Sequence, residues 1–390
     1  MMIKKNDSGS GAGLYIHIPF CIKKCNYCDF TSFDCYDETD RKEYTDALIR
    51  EIQLYKGSKT ELNSVFFGGG TPSLLDGASV SAIMKAVRQS FHLHKTSEIT
   101  LEANPKTVTE EKLKSYRSAG INRLSIGAQS FDDELLRFLG RAHTRQDFLQ
   151  TYETARKTGF DNLNVDLIFG IPGQTMAQWM KTLWEAIMLK PEHLSFYSLQ
   201  LEEGTPFYDR YGQGELELMP EEEDRKMYHE ALGHLKSAGY EHYEISNCAA
   251  PGRACRHNLK YWSYGEYYGV GLGAHSFSYD KGRWCNVSHL EDYLARVKEG
   301  QRPVDRQEYQ QRTPEDAMGE YVFTGLRKTE GINLEEFNRT FHQDFFKVYR
   351  NVMGKISDYQ KQGYLVLEGE KLALTETGID ISDTIMAEFV

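Results

Sequence analysis

Short β-branched or aromatic runs alternate with longer amphipathic segments from residue 13 to about residue 200. Strands are predicted at LYIHI, SVFFGG, EITLEA, RLSIGA, LNVDLIFG and HLSFYSL. Between them, segments such as DRKEYTDALIREIQLY and TMAQWMKTLWEAIML repeat apolar residues at spacings of three and four, which is the helical period. Repeated strand-helix units build parallel sheets, so we predict an α/β fold with an incomplete, TIM-like parallel (β/α)6 barrel.

Polar or glycine-bearing motifs follow these strands directly. They are the cysteine loop CIKKCNYC, then GGGTP, EANP, GAQSF and GIPGQ. In a parallel β/α barrel, the loops at the carboxyl ends of the strands build the active site. The five motifs are therefore predicted to meet around one cavity.

Charge and cysteine usage limit the classes of protein that fit. The 46 basic and 57 acidic residues give a formal charge of -11, which argues against a nucleic-acid-binding surface. No apolar run approaches the ~18 residues of a membrane span, and MMIKKNDSGSGAG lacks the apolar centre of a secretory signal. We therefore expect a cytoplasmic protein, with at most peripheral membrane contact. Seven cysteines do not suit a disulfide framework in that compartment, and a tight cluster of them indicates a metal site.

Three cysteines, Cys21, Cys25 and Cys28, lie within eight residues behind the first strand. Thiolates hold iron-sulfur clusters, and three ligands on a four-iron cluster leave one iron with an open position. The alternatives are a structural zinc site completed by His17 or Cys35, and unligated core cysteines. Because zinc ligands usually come as two spaced pairs, the loop predicts a 4Fe-4S cluster.

The other motifs offer groups that suit a small charged ligand. The glycines at positions 68 to 70 carry no side chains, so their backbone groups can approach a ligand closely. Carboxylates, an amide and a guanidinium come from Glu102, Asp166, Gln129 and Arg141. Each motif taken alone is also explained by a tight turn, a solvated loop residue or a structural ion pair.

The spacing Cys-x3-Cys-x2-Cys, with an aromatic residue before the last cysteine, resembles the signature of the radical SAM superfamily. The wider set YIHIPFC, FFGGGTPSLL, EANP, RLSIGAQSFDDELLRFLGRAH, NVDLIFGIPGQT and LEEGTPF is similar to the oxygen-independent coproporphyrinogen III oxidase group. In that superfamily the open iron binds S-adenosylmethionine, whose sulfonium is cleaved to a 5'-deoxyadenosyl radical. Carried over by motif, the residues implied to bind S-adenosylmethionine are Tyr15, Gly69, Gly70, Thr71, Glu102, Gln129, Arg141 and Asp166.

The group has two main branches. One decarboxylates coproporphyrinogen III in porphyrin biosynthesis, and the HemW branch is implied to hold heme and deliver it to acceptor hemoproteins. Three features favour the HemW branch: Phe30 stands where the dehydrogenase has a further cysteine, about a dozen residues precede the first strand, and HNLKYW matches a heme-associated motif. The resemblance implies a heme chaperone that uses a 4Fe-4S cluster and S-adenosylmethionine. Coproporphyrinogen dehydrogenase is the alternative, so enzyme activity stays open and no catalytic residue is assigned.

The HNLKYW segment supplies the implied heme contacts. A neutral imidazole at His257 can ligate iron, and Tyr261 and Trp262 offer flat apolar surface beside a macrocycle. The alternative is that His257 and Asn258 hydrogen-bond a loop while the aromatic rings fill core.

Two further patterns give weaker signals. Cys248, Cys255 and His257 lie within ten residues, but they lack the paired spacing of zinc ligands. GVGLGAHSF lacks the βαβ context of a dinucleotide-binding fingerprint. It predicts a tight loop near the barrel mouth, with His275 as a structural hydrogen-bonding residue.

Composition divides the chain into four predicted parts. They are a flexible N-terminus (1–12), the radical SAM partial barrel (13–205), a barrel-extending region with HNLKYW (206–300) and a C-terminal domain (301–390). GQRPVDRQEYQQRTPED reads as a linker, and the helices, two-stranded ribbon and short terminal helix after it predict a small winged-helix-like α+β module. Expected partners are heme, acceptor hemoproteins and an electron donor for the cluster, and a homodimer stays open.

Overall fold

The computed structural model describes residues 11–307 and 313–390. The predicted flexible N-terminus lies almost wholly outside these residues, and so does part of the predicted linker, residues 308–312. Within the two described ranges, no helix has the length and apolar character needed to cross a membrane. The division of the chain at residues 205 and 300 stays a prediction.

Six parallel strands and the helices between them form the first part of the fold. The strands are β1 (Ala12–Ile18), β2 (Glu61–Gly69), β3 (His92–Ala103), β4 (Arg123–Gln129), β5 (Leu163–Phe169) and β6 (His193–Ser198). The helices are α1 (Glu38–Gln53), α2 (Gly77–Ser90), α3 (Glu110–Ala119), α4 (Asp133–Phe138), α5 (Arg145–Lys157) and α6 (Met176–Met188), with a 3-10 helix at Pro72–Leu74. All six predicted strands are confirmed, and they pair in parallel in chain order.

The region after β6 extends the sheet at both edges. Its strands are β7 (Glu241–Glu244), β8 (Asn247–Ala249), β9 (Tyr267–Val270), β10 (His275–Ser278) and β11 (Gly282–Cys285), and its helices are α7 (Pro206–Gly212), α8 (Glu221–Ser237), α9 (Arg256–Trp262) and α10 (Leu290–Lys298). At one edge β9 pairs in parallel with β1, and at the other β8 pairs antiparallel with β6. The edges of the six-strand unit are therefore extended rather than joined, and the predicted incomplete barrel is confirmed.

The C-terminal part is a small α+β module. It contains α11 (Pro314–Gly325), β12 (Ile332–Asn333), α12 (Leu334–Phe341), α13 (Phe345–Val348), α14 (Met353–Lys361), β13 (Leu365–Glu368), β14 (Lys371–Leu374) and α15 (Ser382–Met386), with 3-10 helices at Gly378–Ile381 and Ala387–Phe389. Its antiparallel sheet has the order β12-β14-β13, one short strand more than the predicted ribbon. The module attaches to β7, where Thr329 N donates to Tyr243 O (3.1 Å).

Local sequence signals explain where several barrel helices begin. Asp37, Thr144 and Thr175 each accept a hydrogen bond from the backbone three residues ahead, and the side chain at that position bonds back to them. Such capping boxes satisfy amide groups that the first turn of a helix leaves without partners. The helices α1, α5 and α6 therefore start at residues that the sequence alone marks.

Alternation along the strands separates an apolar face of the sheet from a polar face. Leu14, Ile16 and Ile18 of β1 are fully buried in the main hydrophobic core. Tyr15 and His17 point to the opposite, inner face, because successive side chains of a strand alternate. The inner face carries the polar residues from which the site below is built.

Buried Glu51 on α1 anchors the loop between β9 and β10, which contains Gly271 and Gly273, to the barrel. Its carboxylate accepts hydrogen bonds from Tyr293 Oη (2.7 Å), Gly271 N (2.7 Å) and Asn286 Nδ2 (2.6 Å). A Cβ on Gly271 would lie 2.7 Å from His17 O, so the loop passes directly beside the end of β1. The predicted tight loop near the barrel mouth is confirmed.

The stability of the fold should depend on pH through Glu51. Burial raises the pKa of this carboxyl from 4.5 to about 7. Between these values the folded protein holds a proton that the unfolded chain releases, so the free energy of unfolding falls as pH rises through that window. We expect a decrease of about 3 kcal/mol from this group, measurable by denaturant unfolding at about pH 5 and about pH 8.

Glu51→Gln removes this titration and should flatten the corresponding part of the pH profile. The matched control is Glu43→Gln, an exposed position on the same helix, which should keep the wild-type profile. A wild-type pH dependence in Glu51→Gln would contradict the assignment.

Candidate cofactor site

The cysteine loop runs from the end of β1 to the start of α1, at the carboxyl edge of the parallel strands. Backbone bonds fold it back, since Cys21 N donates to Phe33 O (2.9 Å) and Cys28 N donates to Cys25 O (3.3 Å). Cys21, Cys25 and Cys28 are half-buried and free. Burial, together with the neighbouring Cys25 and Cys21, raises the pKa of the Cys28 thiol to about 11. The loop gathers three thiols whose ionisation a bound metal centre would favour.

Beyond the sequence spacing of the three thiols, the described residues show no grouping of side chains around a single metal ion. Among residues 11–307 and 313–390, no three or more His, Cys, Asp or Glu side chains are grouped to hold one metal ion, and this includes the Cys248, Cys255 and His257 region. In a cluster the thiolates bind different irons, so they need not converge on one ion. All seven cysteines lie in the described ranges, and none is paired in a disulfide.

Arg141 connects the cysteine loop with the end of β3. Its Nη1 donates to Cys25 Sγ (3.5 Å), and its Nη2 donates to Asn104 Oδ1 (2.5 Å). Asn104 Nδ2 donates to Thr71 Oγ1 (2.8 Å), which in turn donates to Cys21 Sγ (3.6 Å). The buried Nε of Arg141 has no partner in the described structure. This donor set fits anionic thiolates, and it keeps one further donor for a ligand.

The three glycines at the end of β2, Gly68 to Gly70, form a wall that has no room for side chains. Gly69 has a φ of +111°, and a Cβ there would lie 2.6 Å from His17 Cε1. A Cβ on Gly68 would lie 2.8 Å from Tyr15 Cε2, and one on Gly70 would meet the backbone of the cysteine loop at 2.7 Å. The chain therefore needs glycine here to bring its backbone up to the cysteine loop and to Tyr15.

Two carboxyl groups, Glu102 and Asp166, lie on the inner face of β3 and β5. Burial, followed by the charge of Asp166, raises the pKa of Glu102 to about 8. Burial also raises the pKa of Asp166, whose Oδ1 accepts from Asn164 Nδ2 (2.7 Å) and whose Oδ2 accepts from Ser125 Oγ (3.1 Å). The interacting pair can present one proton donor and one acceptor to the hydroxyl groups of a ligand.

Gln129 stands at the irregular end of β4. Its φ is +63°, and the register with β5 shifts between Gly127 and Gln129. A Cβ on Gly127 would lie 2.9 Å from Gln129 Nε2 and 3.1 Å from Arg141 Nη2. The bulge therefore turns the Gln129 amide toward the Arg141 guanidinium. The structure thus brings together all residues predicted to hold the cluster or S-adenosylmethionine.

The HNLKYW segment forms α9, which packs on the same inner face but toward the opposite, amino ends of the strands. His257 is 1% exposed, with Nδ1 2.9 Å from Ser64 Oγ and Nε2 2.8 Å from Tyr261 Oη. The ring of Phe66 stacks on the imidazole with a centroid distance of 5.2 Å. Burial lowers the pKa of His257 to about 3, so the ring is neutral. Both ring nitrogens are engaged in this conformation, and neither faces solvent.

The other two aromatic residues of the segment pack against different neighbours. Tyr261 meets Tyr267 edge-on at a centroid distance of 4.6 Å, and the Arg327 guanidinium lies 4.5 Å above the Trp262 ring. The buried Nε1 of Trp262 has no partner in the described structure. The segment therefore bridges the barrel interior and the C-terminal module.

Two family models match the sequence. The Radical SAM superfamily model matches residues 15–184, and the HemN C-terminal domain model matches residues 312–381. The chain is also similar to the heme chaperone HemW of Bacillus subtilis, with 34% identity over 96% of this chain and 98% of that protein. The chain belongs to the HemW family of radical SAM proteins.

Other relatives agree with this family. The heme chaperone HemW of Escherichia coli is 38% identical over 75% of this chain and 78% of its own length. A mitochondrial protein of Bos taurus, radical S-adenosyl methionine domain-containing protein 1, is 34% identical over 96% of this chain and 86% of its own length. The solved structure of coproporphyrinogen III oxidase (HemN) from Escherichia coli matches with a TM-score of 0.82 at 24% identity, covering 97% of this chain and 90% of that one. The predicted radical SAM fold and the predicted resemblance are both confirmed.

Sequence reasoning missed several residues that shape the site of this HemW-family chain. Asn104 bridges Arg141 and Thr71, and Asn164 and Ser125 hold the Asp166 carboxylate. Asn104 follows Glu102 at a spacing of two, and Asn164 precedes Asp166 by the same spacing. Period-two alternation along a strand would therefore have placed both asparagines on the face that carries the predicted residues.

Proposed function

We propose that this chain is a heme chaperone of the HemW kind, which holds a 4Fe-4S cluster and S-adenosylmethionine and delivers heme to acceptor hemoproteins. The observation that carries the proposal is the similarity, over nearly the whole chain, to proteins named heme chaperone HemW. The carboxyl-edge site adds support, because its donor set and its glycine wall suit a cluster with a small charged ligand.

The proposed cofactor site uses the residues at the carboxyl edge of the barrel. Cys21, Cys25 and Cys28 are the proposed cluster ligands. The proposed S-adenosylmethionine contacts are Tyr15, Gly69, Gly70, Thr71, Glu102, Gln129, Arg141 and Asp166. A reduced cluster, when bound, can supply an electron to the sulfonium of S-adenosylmethionine. The backbone of the glycine wall, the Arg141 guanidinium and the two carboxyl groups can bind the amino, carboxylate and hydroxyl groups of that ligand.

The proposed heme site involves the segment His257, Tyr261 and Trp262. Ligation of iron by His257 requires α9 to leave its place, because Ser64 and Tyr261 occupy both ring nitrogens. We call the packed position of α9, with Ser64 and Tyr261 on the His257 ring, the closed conformation. Heme binding at this segment is proposed to compete with it. The apparent affinity for heme then decreases as the fraction of protein in the closed conformation increases.

The remaining predicted partners are part of the same proposal. A radical SAM cluster needs an electron donor, and the exposed side chains Ile22 and Phe30 on the cysteine loop, 52% and 58% exposed, offer apolar contact beside it. The cytoplasmic location, peripheral membrane contact and homodimer stay predictions.

Heme titration of the anaerobically reconstituted protein tests the proposed function. We expect the wild type to bind heme, to transfer it to an acceptor hemoprotein and to form no protoporphyrinogen from coproporphyrinogen III. His257→Ala should bind heme at least about tenfold more weakly, because an axial ligand is lost. Ser64→Ala should bind heme up to about fivefold more tightly, because losing one hydrogen bond destabilises the closed conformation by about 1 kcal/mol.

Ser97→Ala is the matched control for Ser64→Ala. Its hydroxyl is also buried on the sheet, but it donates only to backbone carbonyl groups, so heme affinity should not change. Equal heme affinity in His257→Ala and wild type would remove His257 from the site. Robust turnover of coproporphyrinogen III would contradict the proposed chaperone function and favour the alternative, coproporphyrinogen dehydrogenase activity.

A further inference from the structure

A line of hydrogen bonds crosses the barrel interior from the start of α9 to Asp166. Cys255 N donates to Tyr243 Oη (3.3 Å), and Tyr243 Oη lies 2.7 Å from His193 Nε2. His193 Nδ1 lies 2.6 Å from Asn164 Oδ1, and Asn164 Nδ2 donates to Asp166 Oδ1 (2.7 Å). Four segments that are distant in sequence, β5, β6, β7 and the N-cap of α9, each contribute a residue. The line ends on a carboxylate that the proposed function assigns to S-adenosylmethionine.

The neighbours of Asn164 fix the direction of every bond. Ser195 Oγ donates to Asn164 Oδ1 (3.2 Å), and Asn164 Nδ2 also lies 2.7 Å from Ser125 Oγ, so the amide oxygen faces His193. His193 must then donate through Nδ1 and accept from Tyr243 through Nε2. In every bond of the line, the acceptor is therefore the partner nearer to Asp166. Hydrogen bonds aligned in one direction polarise and strengthen one another.

The two central members of the line are buried, Tyr243 is half-buried, and no member before the carboxylate carries a charge. Asn164 is 1% exposed and His193 is fully buried. Burial lowers the pKa of His193 well below its usual value, so the ring keeps the neutral form that the two bonds require. Each of these polar groups would be costly to bury without its partner, which gives the line a single favourable arrangement.

We propose that Tyr243, His193 and Asn164 are positioning residues, which hold the Asp166 carboxylate in the orientation that binds S-adenosylmethionine. The inference rests on the proposed S-adenosylmethionine site and adds to it residues to which the sequence analysis assigned no role. Asp166 Oδ1 accepts the hydrogen bond of Asn164, and Oδ2 accepts that of Ser125, so both carboxylate oxygens are fixed. Each oxygen keeps a further lone pair that can accept a hydrogen bond from a ligand.

Tyr243→Phe tests this inference, because it removes one link and keeps the ring. We expect S-adenosylmethionine to bind about fivefold more weakly to the reconstituted variant by calorimetry, the effect of one hydrogen bond. Iron content should stay at the wild-type level. The matched control is Tyr240→Phe, which removes a buried hydroxyl that donates to Pro191 O (2.7 Å) outside the line. It should leave the affinity for S-adenosylmethionine unchanged.

A double-mutant cycle separates positioning from general loss of stability. If Tyr243 acts through Asp166, Tyr243→Phe should cost no further affinity in an Asp166→Asn background. Effects that multiply in the double variant, an unchanged affinity in Tyr243→Phe, or an equal loss in Tyr240→Phe would each overturn the inference. Absence of S-adenosylmethionine binding in the iron-loaded wild type would instead contradict the proposed cofactor site, and the inference with it.

Discussion

Replacing Cys25 with alanine should remove nearly all iron and sulfide from the reconstituted protein. Cys25 is the central thiol of the loop, and its sulfur accepts the Arg141 hydrogen bond. Loss of an outer partner alone typically weakens metal binding about 10- to 100-fold, so loss of a ligand should reduce cluster occupancy by more than about tenfold. Iron and sulfide assays after anaerobic reconstitution measure the effect. Binding of S-adenosylmethionine should be lost together with the cluster.

Cys35→Ala is the control, because Cys35 is exposed on the same loop but is not a proposed ligand. It should reconstitute with wild-type iron content. Full iron content in Cys25→Ala, or an equal loss in Cys35→Ala, would contradict the assignment of the three ligands. Either result would favour the alternatives, a structural zinc site or unligated core cysteines.

Replacing Gly69 with alanine should weaken the binding of S-adenosylmethionine by about 100-fold. The added Cβ would lie 2.6 Å from His17 Cε1, and the backbone φ of +111° is strained for any residue with a Cβ. Backbone strain of this kind lowers the stability of the fold by about 1–3 kcal/mol. The affinity falls because the clash must displace the His17 ring or the glycine wall, and a 100-fold loss corresponds to about 2.7 kcal/mol of binding free energy. Calorimetric titration of the iron-loaded variant measures the loss.

Gly57→Ala separates strain from the clash. Gly57 also has a positive φ, +87°, but no atom lies within 4 Å of the added Cβ. Both variants should unfold at a lower temperature than wild type, and only Gly69→Ala should lose affinity for S-adenosylmethionine. Wild-type affinity in Gly69→Ala would show that the glycine wall does not contact the ligand.

The parallel strands and the residues directly after them were predictable because they obey local rules. Apolar alternation marked all six strands, and parallel strands place their carboxyl ends at one edge. The cysteine loop and GGGTP therefore meet in the structure, as the distance of 3.6 Å between Thr71 Oγ1 and Cys21 Sγ shows, although 50 positions separate these two residues in the sequence.

The surroundings of the HNLKYW segment were not predictable in the same way. A histidine beside two aromatic residues has the same sequence pattern on an exposed ligand-binding loop and on a buried helix. Only the packing of α9 against β2 shows that Ser64 and Tyr261 occupy the His257 ring. Such burial depends on the space that the open barrel leaves inside, which no local pattern encodes.

By itself, the sequence determined the α/β barrel, the three clustered thiols and the order of the motifs, because these follow from periodicity and from spacing within single loops. The tertiary structure decided the partners of those motifs: Asn104 between Arg141 and Thr71, and Tyr243 and His193 behind Asp166. These contacts join strands that are far apart in the chain. They arise because a buried polar group must find a partner wherever the fold brings one near.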